Sequence, residues 1–210
     1  RHHTTLKAFV ATLGYSRATF VKFYDHERSD AWIDGLESAF QFFGGVPKDV
    51  LFDNAKAIII ERDAYQDGQH RWNAKLLDCA KKYNFRPRVC KPYRAQTKGK
   101  VERFNSYLKS SFIVPLKASL KVVDLSLDVD MANAYIGRWL SETANQRIHA
   151  TTKEKPSTRL LEEQQYFSSL PLFNDGSKKS VIDDVSPSSL IPHESVQHPL
   201  SIYDELLEVS

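Results

Sequence analysis

The chain has 210 residues, 41% of them hydrophobic and 11% aromatic, and a formal net charge of +3. This suits a packed domain with appendages and excludes wholesale disorder; no apolar run approaches the ~18 residues of a membrane span, and no signal-peptide pattern opens the chain. The two cysteines, Cys79 and Cys90, are too few for a disulfide framework and read as buried reduced thiols, which points to a reducing cytoplasm.

The first strong pattern is a hairpin. LKAFVATL (6–13) and RATFVKFYD (17–25) are rich in strand formers and are separated by GYS. SDAWIDGLESAFQFF follows as a helix. Ser29 suits its N-cap, Asp30 its first turn, and Gly44-Gly45 with Pro47 stops it. DVLFD (49–53) is a short apolar run apt for a buried strand. In 55–70, AIII fits a strand and RDAYQDGQ a loop. Residues 73–83 form a helix with Leu76, Leu77, Ala80 and Tyr83 inward. RPRVCK (86–91) is a strand, and Pro87 marks it as an edge or a strand start.

Charge is unevenly spread. Residues 71–110 hold twelve Lys/Arg against two acids, Asp78 and Glu102. Residues 161–210 hold two lysines against nine acids. A basic block suggests a phosphate-rich partner, although such blocks are often only solvated faces. Within KPYRAQTKGKVERFNSYLKS (91–110), Thr97 is a helix cap. Val101, Phe104, Leu108 and Phe112 fall on one apolar stripe. Glu102, Asn105, Ser106 and Lys109 fall on another face, with Glu102 and Lys109 two turns apart.

Residues 128–145 form an amphipathic helix through Ala132, Tyr135, Ile136, Trp139 and Leu140. PSTRLLEEQQYF (156–167) is a shorter helix with Pro156 at its start. Beyond about 168, Ser, Pro and acids dominate, and HPLSIYDELL (198–207) reads as a docking motif. Trp32, Trp72 and Trp139 read as packing groups, and His149 as a polar surface residue. The element order argues for an α/β fold with a mixed sheet flanked by helices.

Asp53 stands where a buried strand gives way to a polar turn. In open α/β sheets, sites form at the carboxyl ends of strands. Glu102 lies early on the helix after the next strand. Two carboxylates among cations suit Mg²⁺, which takes oxygen ligands and substrate phosphate. Such a pair supports two-metal phosphoryl transfer. On spacing alone the plainer readings are favoured: Asp53 in ordinary Asp-Asn turn chemistry, Glu102 paired with a nearby lysine on a helix surface.

Three motifs change that balance. LKAFVATLGYSR, FFGGVPKDVLFDNAK and PYRAQTKGKVERFNSYLK, in this order, resemble the integrase-core transposases of bacterial insertion sequences. These are DDE enzymes with a ribonuclease-H-like fold, and the resemblance is to the IstA type, which works with a helper ATPase. It runs from about residue 5 to residue 165. It implies a ribonuclease-H-like mixed sheet, two Mg²⁺ (or Mn²⁺) ions, transposon-end and target DNA as partners, and homo-oligomers in the synaptic complex. It implies a cytoplasmic, nucleoid-associated bacterial protein. It makes Asp53 and Glu102 the second and third metal-binding catalytic carboxylates. Lys98, Lys100, Arg103 and Lys109 become DNA contacts.

The same resemblance places a first Asp on a strand before LKAFVATL, where only RHHTT stands. The chain begins at Arg1 and its single methionine is Met131, so a fragment lacking that strand and the DNA-reading region is expected. The expected division is a catalytic core (1–115), a helical extension (116–167) and an acidic tail (168–210). The implied function is Mg-dependent DNA strand transfer in the intact protein, with the isolated chain inactive. The alternatives are a remnant that only binds DNA or a partner protein, and a nuclease with another substrate.

Overall fold

A computed structural model describes residues 6–52, 58–61, 71–89, 103–171 and 194–197. Strand β1 (Lys7–Leu13) runs antiparallel to β2 (Thr19–Tyr24), as the hairpin pattern requires. Helix α1 (Ser29–Phe43) leads into β3 (Asp49–Phe52). A two-stranded ribbon, β4 (Ile59–Glu61) with β5 (Arg71–Trp72), precedes α2 (Ala74–Tyr83) and β6 (Arg86–Val89). A long helical rod follows: α3 (103–108), a π-helical turn (Lys109–Ile113) and α4 (Val114–Val122). Then come α5 (Val129–Trp139), a second π-helical turn (Leu140–Ala144) and α6 (Pro156–Glu163). The last described element is β7 (Glu194–Gln197).

The main sheet has the order β2-β1-β7-β3-β6. It is mixed, because β3 runs parallel to β6 and to β7 while β1 is antiparallel to β2 and β7. The mixed α/β class read from the sequence is the class observed. Strand β6 is an edge, where Pro87 costs no ladder bond on its open side.

Period-two alternation splits β1 between two cores. Phe9, Ala11 and Leu13 join the layer of α1 and α2, with Trp32, Leu36, Val50 and Phe52. Leu6, Ala8 and Val10 join the opposite layer, with Leu108, Phe112, Ile136 and Trp139 from the later helices. The sheet is therefore sandwiched by helices. Gly35 lets α1 lie against β1, since a Cβ there would stand 2.6 Å from the Phe9 ring. Gly44 ends α1 in the left-handed region at φ 77°, which glycine adopts without strain.

Strand β2 is the other edge, and asparagines cover it. Asn145 takes the Thr19 N–H and donates to the Thr19 carbonyl, both at 2.9 Å. Asn133 does the same at Phe23, at 2.8 and 2.9 Å. Each amide side chain stands in for one residue of a missing neighbour strand.

The hairpin turn is fastened to α6. The buried Glu163 carboxylate accepts the Tyr15 and Ser16 backbone N–H groups at 3.3 and 2.8 Å. Tyr15 donates its hydroxyl to Glu162 at 2.6 Å, and the Arg159 guanidinium lies 3.9 Å from the Tyr15 ring centre.

Four details differ from the sequence reading. Arg28, not Ser29, is the cap residue of α1, and no side chain caps it. Leu77 and Tyr135 are exposed instead of facing inward. Asn105 is buried at 3% exposure instead of lying on a polar face. Finally, the tail supplies a strand to the middle of the sheet, which its Ser- and acid-rich composition does not announce.

Candidate functional site

The candidate site begins at the carboxyl end of β3. Parallel pairing aligns Phe52 with Val89 of β6 on one side and with Gln197 of β7 on the other. Val50 and Phe52 are fully buried in the α1 layer, and Trp72 of the ribbon packs edge-on to Phe52 at 5.9 Å. These contacts fix the end of β3, the residue before Asp53. Asp53, Glu102, Lys98 and Lys100 lie outside the described residues, as do Thr97, Val101 and Cys90.

The helix that follows Glu102 is well anchored. Leu108 and Phe112 are buried against the β1–β2 face, and the Phe112 ring stacks with Phe23 at 6.0 Å. Trp139 closes the same cluster, 5.5 Å from Phe112, and donates its Nε1–H to Ser111 Oγ at 3.2 Å. Arg103 stands exposed at the start of this rod and Lys109 is half-buried at the start of its π turn. The π turn adds a residue to one turn and so rotates the face that later side chains present. Exposed Lys117 and Lys121, one turn apart on α4, carry positive charge further along the rod. The motif reading did not reach them; their i, i+4 spacing was the available signal.

Asn105 lies one turn beyond Glu102 in sequence. Its Oδ1 is buried, and among the described residues it meets no hydrogen-bond donor. Arg147 lies 3.9 Å from the centre of the Tyr107 ring, which keeps another cation beside the rod.

Electrostatics at the opposite, amino end of β3 are purely structural. Asp49 pairs with Arg88 at 2.7 Å and Arg86 at 2.9 Å across the β3–β6 ladder. Burial pushes its carboxyl up, but the hydrogen bonds and charges of the two arginines outweigh that and hold it below the usual carboxylate range. Burial pushes the Cys79 thiol up to about 12, so it is an inert core group. Among the described residues no cluster of three His, Cys, Asp or Glu could hold a metal ion, and no helix is long and apolar enough to cross a membrane.

The comparisons with known proteins agree with the motifs. Residues 1–95 match the integrase core domain. The chain is 40% identical over 158 residues to a protein of insertion sequence element IS5376 from Geobacillus stearothermophilus, covering 75% of this chain and 37% of that protein. It is 35% identical over 162 residues to the transposase of IS21 from Pseudomonas aeruginosa, covering 77% and 39%. It is 35% identical over 150 residues to the transposase of IS640 from Shigella sonnei, covering 71% and 44%. The chain thus spans less than half the length of these relatives. A solved simian T-cell lymphotropic virus intasome, in complex with PP2A regulatory subunit B56 gamma, matches with a TM-score of 0.46 and 18% identity, over 83% of this chain and 51% of that one. With the motifs in order on a mixed, helix-flanked sheet, residues 1–95 match the integrase core domain and the chain is similar over most of its length to insertion-sequence transposases.

Proposed function

We propose that this chain is the catalytic-core portion of a DNA transposase that joins DNA 3′ ends by Mg²⁺-dependent transesterification in the intact protein. Asp53 and Glu102 are the metal-binding carboxylates in this reading. One observation carries it. Val50 and Phe52 face the α1 layer, and Leu51 between them turns to the other face of β3. That is the face on which the helix after Glu102 packs.

Carboxylate oxygens are the hard donors that Mg²⁺ takes, so the donor set fits the ion. Bound divalent ions would supply Lewis-acid activation of the attacking hydroxyl and stabilise the leaving oxygen. The chain's own part is to bind and orient. Lys98, Lys100, Arg103 and Lys109 hold the phosphate backbone, and the packed Leu108–Phe112 segment keeps the Glu102 helix in place. Positioning of this kind is where an enzyme gains most in phosphoryl transfer. We propose further that the intact protein works as an oligomer on transposon-end and target DNA, with a helper ATPase. Residues 1–115 form the core, 116–167 a helical extension and 168–210 a tail.

A second reading has its own observation. Between β1 and β3 the sheet holds β7, Glu-Ser-Val-Gln, which adds no Asp to the Asp53 and Glu102 pair. This favours DNA binding without joining for the 210-residue chain by itself. Strand transfer of a labelled transposon-end duplex with Mg²⁺ or Mn²⁺ separates the readings. In the intact protein, Asp53→Asn and Glu102→Gln abolish joining and leave DNA affinity unchanged or raised. Normal joining by both variants refutes the site assignment.

A further inference from the structure

Elsewhere in this chain helix cations meet acids at close range. Arg138 pairs with Glu142, Arg159 with Glu154 and Lys82 with Glu37, each at 2.9 Å. Such interleaving is what an ordinary solvated helix face shows. The rod of α3, its π turn and α4 is built differently. Residues 103–123 hold four cations, Arg103, Lys109, Lys117 and Lys121, and no Asp or Glu. The next acid, Asp124, lies beyond the end of α4.

Helix geometry sets where these cations stand. Leu108, Phe112, Ile113 and Leu120 are buried and mark the inner side of the rod. Lys109 is half-buried, and Lys117 and Lys121 are exposed. In an unbroken α-helix the step from Lys109 to Lys117 is about 2.2 turns, which sets the two roughly 80° apart. The π turn at Lys109–Ile113 takes up one extra residue. The same step then covers about two whole turns, and Lys109 and Lys117 fall nearly in line. Lys121 follows about one turn later, so the row runs along roughly 17 Å of the rod. Duplex DNA carries about ten phosphate charges over that length. Lys121 stands in the last turn of α4, where a cation also complements the helix dipole. Lys117 stands mid-helix, outside the reach of that effect.

We propose that Lys117 and Lys121 are phosphate contacts that continue the track begun by Arg103 and Lys109, so that the rod holds the backbone of duplex DNA along its length and not at its first turns alone. Contacts of this kind fix the register of a duplex without reading its sequence. The inference rests on the DNA-binding part of the proposed function and stands apart from the assignment of the metal-binding carboxylates.

The test titrates the full chain with a fluorescein-labelled duplex of mixed sequence across a range of salt, in EDTA so that divalent ions play no part. Each phosphate contact contributes about 0.9 to the slope of log affinity against log salt. Lys117→Gln with Lys121→Gln is expected to flatten that slope by about 1.8, and Lys117→Arg with Lys121→Arg to leave it unchanged. A control pair with the same change of charge, Lys153→Gln with Lys155→Gln, both exposed, is expected to leave the slope unaltered. An unchanged slope in the Lys117 and Lys121 glutamine pair overturns the inference. Equal flattening by the control pair also overturns it, because net charge alone would then be at work. No binding by the unaltered chain overturns the DNA-binding reading as well, which distinguishes the two failures. Should the glutamine pair not fold, lysine acetylation of the unaltered chain decides. Protection of Lys117 and Lys121 by the duplex supports the track, and full reactivity in its presence refutes it.

Discussion

Strands β1 and β7 lie side by side in one sheet but are held by different means. Strand β1 has seven residues, buried side chains on both faces, and a turn fastened to α6 by Glu163. Strand β7 has four residues, Glu-Ser-Val-Gln, and is paired through its main chain with both neighbours. The difference teaches that ladder pairing can fill a central position even where the sequence is wrong for it. Apolar fit is what makes a strand hard to remove.

The comparison can be broken from its strong side first. Glu163→Ala leaves two buried backbone donors in the hairpin turn without an acceptor, and is expected to cost about 3 kcal/mol in urea unfolding. Glu163→Gln keeps one acceptor and is expected to cost less. Asn145→Ala and Asn133→Ala each uncover one residue of the β2 edge, and each is expected to cost about 1–3 kcal/mol. Val196→Pro removes one ladder donor from β7 and is expected to cost about 1 kcal/mol or less. A Val196→Pro loss as large as that of Glu163→Ala would place β7 among the firmly held strands.

The smallest effect concerns pH. Asp49 has a lowered folded-state pKa, held down by Arg86 and Arg88 against burial. Its contribution is therefore complete above its unfolded pKa of about 3.9 and is lost as pH falls through the lower folded value. Both arginines are more than half exposed, so solvent screens the pair and the effect is small. Asp49→Asn is expected to remove that part of the acid dependence and leave stability at pH 7 nearly unchanged, as acid-titrated urea midpoints would record.

Much of this architecture was legible in the residues. The β1–β2 alternation, the Gly44 stop and the Pro87 edge each rest on a local backbone constraint, and each is where the sequence put it. The misses have tertiary causes. Leu77 is exposed because α2 turns the Leu76, Cys79, Ala80 and Tyr83 side of its stripe into the core with Phe40 and Phe85, where Cys79 is buried as read. Asn105 and Asn145 are buried and Asn133 is half-buried, the latter two against the β2 edge, where periodicity alone marks such residues as surface. Strand β7 is invisible to propensity because its position comes from the two strands beside it. For the candidate site, the motif order pointed to the integrase core, while local spacing alone favoured a turn at Asp53 and an exposed Glu102.

The central claim is that Asp53 and Glu102, distant in sequence, act on the same divalent ions. Mn²⁺ titration of the chain and its Asp53→Asn, Glu102→Gln and doubly substituted forms, followed by electron paramagnetic resonance, tests it most directly. A shared site predicts that either single substitution removes most of the binding and that the second adds almost nothing, a strongly non-additive cycle. Binding as in the unaltered chain by either single variant, or losses that simply add, would contradict it.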